Sequence, residues 1–140
     1  LRKMRRHVHL ALLSSLLIAA GVCAAGCTSE PSTPVDATAV RAYADTATDT
    51  ALQGLSEGDL EKYTRHANNG FKAAVTQEIL DGTAKQINSQ LGAYQSIEFL
   101  KAEEQDGYVI VHYRATYEKG KAGIRMVFDN DQLIAGQWFE

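Results

Sequence analysis

The spacing of apolar residues changes once along this 140-residue chain, near Tyr94, and that change restricts the fold more than any other feature. Before it, apolar side chains recur at steps of three and four residues, the spacing of one face of an α-helix. After it, apolar and polar residues alternate, the period of a strand with one buried face. Helices that precede strands are typical of an α+β domain, in which the helices cover one face of an antiparallel sheet.

Three helices are predicted. The first follows Asp36, whose side chain can cap it, and its apolar face comprises Val40, Tyr43, Ala44, Ala47, Ala51, Leu52 and Leu55. The second is short and begins near Asp59, and the Asn-Asn-Gly run at residues 68–70 is expected to end it. The third begins after Thr76 and stops at Gly92.

Four strands are predicted in the runs SIEFLKAEE, YVIVHYRATY, AGIRMVFD and QLIAGQWF, and their short connections make neighbouring strands antiparallel. If residues 119–120 form a two-residue turn, Val111 lies opposite Phe128 and Tyr113 opposite Met126. One continuous apolar face results, and a slip by one residue would destroy it. The expected fold is therefore three helices packed on a curved four-stranded antiparallel sheet.

The same register places Arg114 directly beside Arg125 on the opposite face of the sheet, with His112 nearby. It also places Arg125 beside Gly136 of the next strand. The other residues predicted on that face are Tyr108, Ile110, Val127, Ile134, Gly136 and Trp138. Two arginines side by side repel each other by up to about 1 kcal/mol, so a compensating group is expected. Water and a surface acid, Glu98 or Glu103, would suffice. Alternatively, the two arginines hold an anion or a carboxylate, with His112 as a neighbour that titrates near neutral pH.

A third interpretation of this face is association. The side chains of Trp138, Ile134 and Val127 would form an apolar patch surrounded by charged residues, and a patch of that kind on an exported protein needs a cover. The sequence therefore leaves a homodimer through the sheet open as an alternative.

Residues 1–26 are predicted to be an export signal. Four basic residues without an acid precede an apolar run of about 13 residues, too short to span a bilayer comfortably. Ala24, Ala25 and Gly26 then stand directly before Cys27, which resembles a bacterial lipobox, although Ala24 replaces the usual leucine. We expect Cys27 to receive a lipid that anchors the chain to the extracytoplasmic face of the cell membrane. An ordinary cleavage that releases a soluble protein, or a disulfide between Cys23 and Cys27, are the alternatives.

The predicted tether, residues 27–36, is polar and contains both prolines of the chain, so one domain over residues 37–140 remains. Four of the 14 basic residues lie in the predicted signal, which leaves ten against 17 acidic residues, a net charge of −7. That balance argues against nucleic acid as a partner.

Several short motifs resemble the family named domain of unknown function 3887. They are Leu91-Gly92, Gly107-Tyr108, Glu118-Lys119-Gly120, Phe128-Asp129 and Ile134-Ala135-Gly136, with a weaker likeness at Gly58-Asp59 and Phe71. The resemblance covers about residues 37–140. It implies a cone-shaped fold of the nuclear transport factor 2-like, or cystatin-like, superfamily and an exported bacterial protein. It implies no activity, no catalytic residues and no cofactor.

Three functional hypotheses follow. The first is a non-enzymatic module that binds a small molecule or a protein of the cell envelope, and its candidate ligand-binding residues are Arg114, Arg125, His112, Tyr43, Tyr63 and Tyr113. The second is an isomerase-like or dehydratase-like enzyme, which needs a titratable group in an apolar pocket bordered by these tyrosines. The candidates for that group are Tyr43, Asp45, Tyr63, His66, His112 and Tyr113. The third is a domain that dimerises through its sheet. Because His66 and His112 are isolated and no cysteine follows Cys27, no metal site is expected.

Overall fold

The computed structural model describes residues 31–140 as four helices and a sheet of five strands, and the α+β class is confirmed. The helices are α1 (Ala37–Glu57), α2 (Leu60–Thr64), α3 (Asn69–Ala74) and α4 (Gln77–Leu91). The strands are β1 (Thr33–Pro34), β2 (Tyr94–Gln105), β3 (Tyr108–Tyr117), β4 (Gly120–Phe128) and β5 (Ile134–Phe139). The predicted signal peptide, Cys27 and the first residues of the predicted tether lie outside the described residues.

The prediction of three helices was wrong because the Asn-Asn-Gly run starts a helix instead of only ending one. The side chain of Asn68 accepts a hydrogen bond from the amide of Phe71 at 2.9 Å and so caps α3. Its amide nitrogen also donates to Asp129 at 2.9 Å, which ties the helix to the turn between β4 and β5. The other predicted caps, Asp36 and Thr76, cap α1 and α4 as expected.

Helices α1 and α2 approach each other closely at Gly54. A Cβ atom at this position would lie 2.4 Å from the backbone nitrogen of Tyr63, so only glycine fits there without a shift of the α2 backbone. Gly58 then ends α1 in the left-handed conformation, with φ of 71°. This close crossing packs Tyr63 of α2 into the core.

The sheet has the order β1-β2-β3-β4-β5, and neighbouring strands are antiparallel throughout. The fifth strand, which was not predicted, comes from the segment assigned to the tether. Thr33 pairs with Glu104 and Pro34 with Glu103, and the hydroxyl of Ser32 donates to Glu103 at 3.0 Å. The end of the predicted tether therefore lies along the sheet before the chain enters α1.

The register between β3 and β4 differs from the prediction by two residues. Val111 pairs with Met126 and Tyr113 with Ile124, because the turn contains Glu118 and Lys119 and not residues 119–120. The amides of these two turn residues donate to the carbonyls of Ala93 and Leu91 at the end of α4, at 3.0 and 2.8 Å. A shift of two residues keeps every side chain on its predicted face, so the apolar inner face remains.

A bulge at Ala135 alters the pairing of β4 with β5. Val127 pairs with Gly136, but the next pair is Phe128 with Ile134. Ile134 consequently points into the core and is only 1% exposed, whereas the sequence placed it on the outer face. The amide of Ile134 donates to the carbonyl of His66 at 2.8 Å, so the segment before α3 holds the start of β5.

The space between the helices and the sheet is filled with side chains. The largest fully buried ones are Tyr113, Phe128, Leu52, Leu80, Ile124, Met126, Ile134 and Val111. They come from both layers and form one hydrophobic cluster. Within residues 31–140, no helix combines the length and the apolar character needed to cross a membrane.

Candidate functional site

The predicted arginine pair does not form on the outer face of the sheet. Arg114 pairs with Gly123 in the β3–β4 ladder, and Arg125 pairs with His112, because the register differs by two residues. Arg114 instead contacts Glu98 of β2, with a distance of 3.2 Å between its Nη1 and the carboxylate. The prediction that the two arginines lie directly opposite each other was therefore wrong.

Arg125 lies over the indole ring of Trp138, with its guanidinium carbon 4.6 Å from the ring centre. The ring also covers Gly136, where a Cβ atom would meet it at 2.3 Å. The prediction that Arg125 lies beside Gly136 was wrong, because Trp138 is its ladder partner. Trp138 remains 47% exposed, so the association hypothesis stays a prediction.

His112 lies between two carboxylates. Its Nδ1 is 3.1 Å from Glu140 and its Nε2 is 3.7 Å from Glu103. Glu103 has a lowered pKa because the Ser32 hydroxyl, Lys101 and His112 all favour its charged form, although partial desolvation opposes them. Arg125 also has a carboxylate neighbour, because its Nε lies 3.8 Å from Glu140. Arg114, Arg125 and His112 therefore each have a carboxylate beside them on the outer face.

The three predicted tyrosines do not border a common cavity. Tyr43 packs edge-on against Phe128, with ring centres 5.3 Å apart, and Tyr63 packs against Phe71 at 5.6 Å. Burial raises the pKa of Tyr63 to about 12, as expected for a core aromatic residue. Tyr113 lies on the inner face of the sheet, and among the three its hydroxyl group alone reaches a titratable side chain, Asp45 of α1, at 2.9 Å.

An open groove lies between α1 and β2, which we call the α1–β2 groove. One part has a volume of about 360 Å³, and its walls are Arg41, Asp45, Thr46 and Asp49 of α1 and Ser96, Ile97 and Phe99 of β2. The adjoining part has a volume of about 230 Å³, lined by Asp49, Gln53, Ser56, Glu57, Ala93, Tyr94 and Gln95. Asp49 belongs to both parts and so stands at the junction of the groove.

Tyrosine hydroxyls hold the two aspartates of the groove in position. Asp45 accepts hydrogen bonds from Tyr113 at 2.9 Å and from Arg41 at 3.0 Å, and Asp49 accepts one from Tyr94. Burial, together with the neighbouring carboxylates, raises the pKa of Tyr94 and of Tyr113 well above the usual range. Both phenols therefore remain protonated donors at neutral pH.

Arg41 is part of the wall of the larger part of the groove. Its guanidinium carbon lies 5.1 Å from the centre of the Phe99 ring, while its Nε contacts Asp45. A cation thus already binds there in a site made of one carboxylate and one aromatic face. The groove is suited by the same chemistry to positively charged groups.

The sequence indicated part of this site. Asp45 was among the candidate acids that the sequence suggested, but Arg41, Asp49 and Phe99 were not. Arg41, Asp45 and Asp49 follow one another at steps of four, so they share one face of α1. That stripe was visible in the sequence, but its position beside β2 depends on tertiary packing.

A third pocket of about 310 Å³ lies between α4 and the last two strands, lined by Thr83, Gln86, Ile87, Gln90, Leu91, Ala122 and Phe139. It contains no titratable side chain, so it offers no group for acid–base chemistry. Among residues 31–140, no three His, Cys, Asp or Glu side chains are grouped so that they could bind a metal ion.

The family model described as "Protein of unknown function (DUF3887)" matches residues 49–136, from the second half of α1 to β5. The solved NMR structure of a protein from Ruminococcus gnavus ATCC 29149 has the same fold, with a TM-score of 0.52 at 19% sequence identity. The alignment covers 74% of this chain and 90% of that protein. No curated protein matches the chain.

Proposed function

This chain belongs to the DUF3887 family of proteins of unknown function, and from that premise we propose that it is a non-enzymatic binding module whose ligand carries a positive charge. The binding site is the α1–β2 groove. The module is held on the extracytoplasmic face of the cell membrane by a lipid on Cys27, so its ligand comes from the cell envelope or from outside the cell.

This proposal rests on the contacts of the Asp49 carboxylate. Asp45 is paired with Arg41, and Glu57 is paired with Lys62 at 3.0 Å. Within residues 31–140, no basic side chain contacts Asp49, although Tyr94 orients its carboxylate at the junction of the groove. An oriented carboxylate without a cation partner is suited to bind an ammonium or guanidinium group.

Two features support binding over catalysis. The interior that would serve as a reaction chamber is filled by core side chains such as Phe128 and Met126. A general acid or base works best with a pKa near neutral pH, but burial moves the pKa values of Tyr94 and Tyr113 away from it. The groove hydroxyls therefore position carboxylates and do not transfer protons.

The anchor hypothesis rests on the sequence around Cys27. Only four residues lie between Cys27 and Ser32, which makes five Cα-to-Cα steps, and the side chain of Ser32 contacts the edge of the sheet. A fully extended segment of that length spans at most about 18 Å. A lipid on Cys27 would therefore keep this edge of the domain close to the membrane surface.

Thermal melting of the protein, purified from membranes in mild detergent, tests the ligand class. We expect agmatine, which carries an amine and a guanidinium group, to raise the melting temperature, and glutarate to leave it unchanged. The increase should disappear in Asp49→Asn but persist in the matched control Asp131→Asn, in the turn before β5. Equal increases in both variants, or none in the wild type, would contradict the proposed site.

Mass spectrometry of the same material tests the anchor. We expect a chain that begins at Cys27 and carries the mass of acyl groups, and we expect Cys27→Ser to abolish both the acyl mass and the membrane association. An unmodified Cys27 in the wild-type protein would contradict the anchor and leave the ligand proposal standing.

A further inference from the structure

We propose that the ligand of the α1–β2 groove is an extended peptide segment of another protein, which pairs with the edge of β2 as an added antiparallel strand. The segment carries Lys or Arg at alternate positions. This inference rests on the proposed function, because it assigns a ligand class to the same site.

The edge of β2 offers the backbone groups for such pairing. β2 has 12 residues and pairs with β3 from Tyr94 to Gln105, but on its other side β1 covers only Glu103 and Glu104. In the described part of the chain, residues 94–102 therefore have no strand on that side. A sheet edge without a neighbour exposes backbone donors and acceptors that can pair with an extended chain.

The protein itself shows that this edge accepts an antiparallel segment. Thr33 and Pro34 already pair with it in that direction. A segment that continued along the same line would next lie opposite residues 94–102. The protein's own chain does not continue there, because Val35 packs against the core and Asp36 starts α1.

The groove follows this same edge. Its larger part is lined by Ser96, Ile97 and Phe99 of β2, and its smaller part by Tyr94 and Gln95. Both parts are open to solvent and follow one another along the strand. An elongated open groove offers an extended segment more contact than it offers a compact small molecule.

The acidic side chains have the spacing that an extended peptide requires. Asp45, Asp49 and Glu57 of α1 line the two parts of the groove and are separated by multiples of four residues, and one step of four measures about 6 Å along a helix. Alternate residues of a strand point to the same side and are about 6.6 Å apart. Basic residues at alternate positions of a strand beside α1 therefore match this row of acids.

The irregularities of β2 restrict the length of the added strand. The β2–β3 ladder shifts between Tyr94 and Ser96 and again between Phe99 and Lys101, which leaves two regular stretches, 96–99 and 101–105. β1 already covers part of the second, so residues 96–99 are the regular stretch beside the groove. We infer that about four residues of the partner pair with the backbone. One basic side chain of the partner then contacts Asp49, and its neighbours replace Arg41 at Asp45 and Lys62 at Glu57.

The test uses the lipid-bearing protein in mild detergent and the peptide Ac-Thr-Lys-Val-Lys-Val-Lys-Thr-NH₂, measured by isothermal titration calorimetry. Two derivatives have the same charge but carry N-methyl groups either on the lysines or on the valines. Only every second residue of an added strand donates its amide to the neighbouring strand, and lysines and valines alternate in this peptide. N-methylation therefore blocks the pairing in only one of the two derivatives, which should bind about tenfold more weakly, whereas the other should bind nearly as well as the parent peptide. Amide exchange of residues 96–99 should slow when the parent peptide binds.

The outcomes separate this inference from the proposed function. If both methylated peptides bind like the parent, and Asp49→Asn weakens all three, the cation site stands and the added strand is refuted. If neither agmatine nor any of the peptides binds to the wild-type protein, the proposed function fails and this inference fails with it. Asp131→Asn serves again as the matched control and should bind all three peptides as the wild type does.

Discussion

Replacement of Gly54 by alanine should destabilise the domain, although alanine is the better helix former. In an ordinary helix the change would stabilise by about 1 kcal/mol. At Gly54 the new Cβ would lie 2.4 Å from the nitrogen of Tyr63 and 2.8 Å from its Cα, which are backbone atoms of α2. Ordinary carbon contacts begin near 3.4 Å, so α2 must move by roughly 1 Å.

The magnitude follows from these two opposing effects. Overpacking of this kind destabilises the fold by about 3 kcal/mol, and the higher helix propensity of alanine stabilises it by about 1 kcal/mol. The free energy of unfolding should therefore fall by about 2 kcal/mol. Gly82→Ala is the matched control, because it makes the same change inside α4 where a Cβ meets nothing within 4 Å. That variant should be more stable than the wild type by about 1 kcal/mol.

Thermal unfolding, followed by circular dichroism in the far ultraviolet, measures both variants under the same conditions. We expect Gly54→Ala to lower the melting temperature by about 10 °C and Gly82→Ala to raise it by about 4 °C. If both variants shift stability in the same direction and by the same amount, the crossing of α1 and α2 described here is wrong. A Gly54→Ser variant should behave like Gly54→Ala, because its Cβ meets the same backbone atoms.

Three further predictions concern hydrogen bonds to carboxylates and the groove. Desolvation alone would raise the pKa of Asp129, but hydrogen bonds from the side-chain amide of Asn68 and from two backbone amides outweigh it, so the pKa is lowered. Asp129→Ala should therefore lower the free energy of unfolding by about 1–3 kcal/mol at pH 7. A carboxyl group whose pKa is lower in the folded state stabilises the fold above its unfolded pKa, and this stabilisation is lost as the pH falls through the folded pKa. In urea unfolding, the difference in the free energy of unfolding between the wild type and Asp129→Ala should therefore narrow below about pH 4. Ser32→Ala should raise the pKa of Glu103 toward its ordinary value, as an NMR titration of the carboxyl would show; an unchanged pKa would mean that the segment before α1 does not lie on β2. Tyr113→Phe should lower stability in thermal melts by about 1 kcal/mol, because the ring still fills the core but Asp45 loses one donor, and no change would refute this bond.

Much of the fold could be predicted because the signals are local. The caps at Asp36 and Thr76 depend on side chains within three residues of the amides that they bond, and the pleat of a strand sends alternate residues to opposite faces. The inner face of Val111, Tyr113 and Met126 was therefore predicted correctly despite the wrong register. An error of two residues leaves the faces unchanged.

The features that were missed depend on contacts between distant residues. The turn before β4 is set by backbone bonds from Glu118 and Lys119 to the end of α4, and the bulge at Ala135 accompanies the bond from Ile134 to His66. Residues 33–34 carry no strand pattern of their own, and they are extended because they lie against β2. Periodicity reports which side of an element is buried, and it cannot report which residue of another element lies opposite.

The same distinction applies to the candidate site. The amino-acid sequence alone determined the α+β class, the inner faces of α1, β3 and β4, and the stripe of Arg41, Asp45 and Asp49 on α1, since each depends on the repeat of a single element. Only the tertiary structure decided that this stripe borders the edge of β2, that Tyr94 and Tyr113 orient its aspartates, and that the predicted arginine pair is separated. The physical reason is that a groove is formed by two elements whose relative position is set by the packing of the whole core.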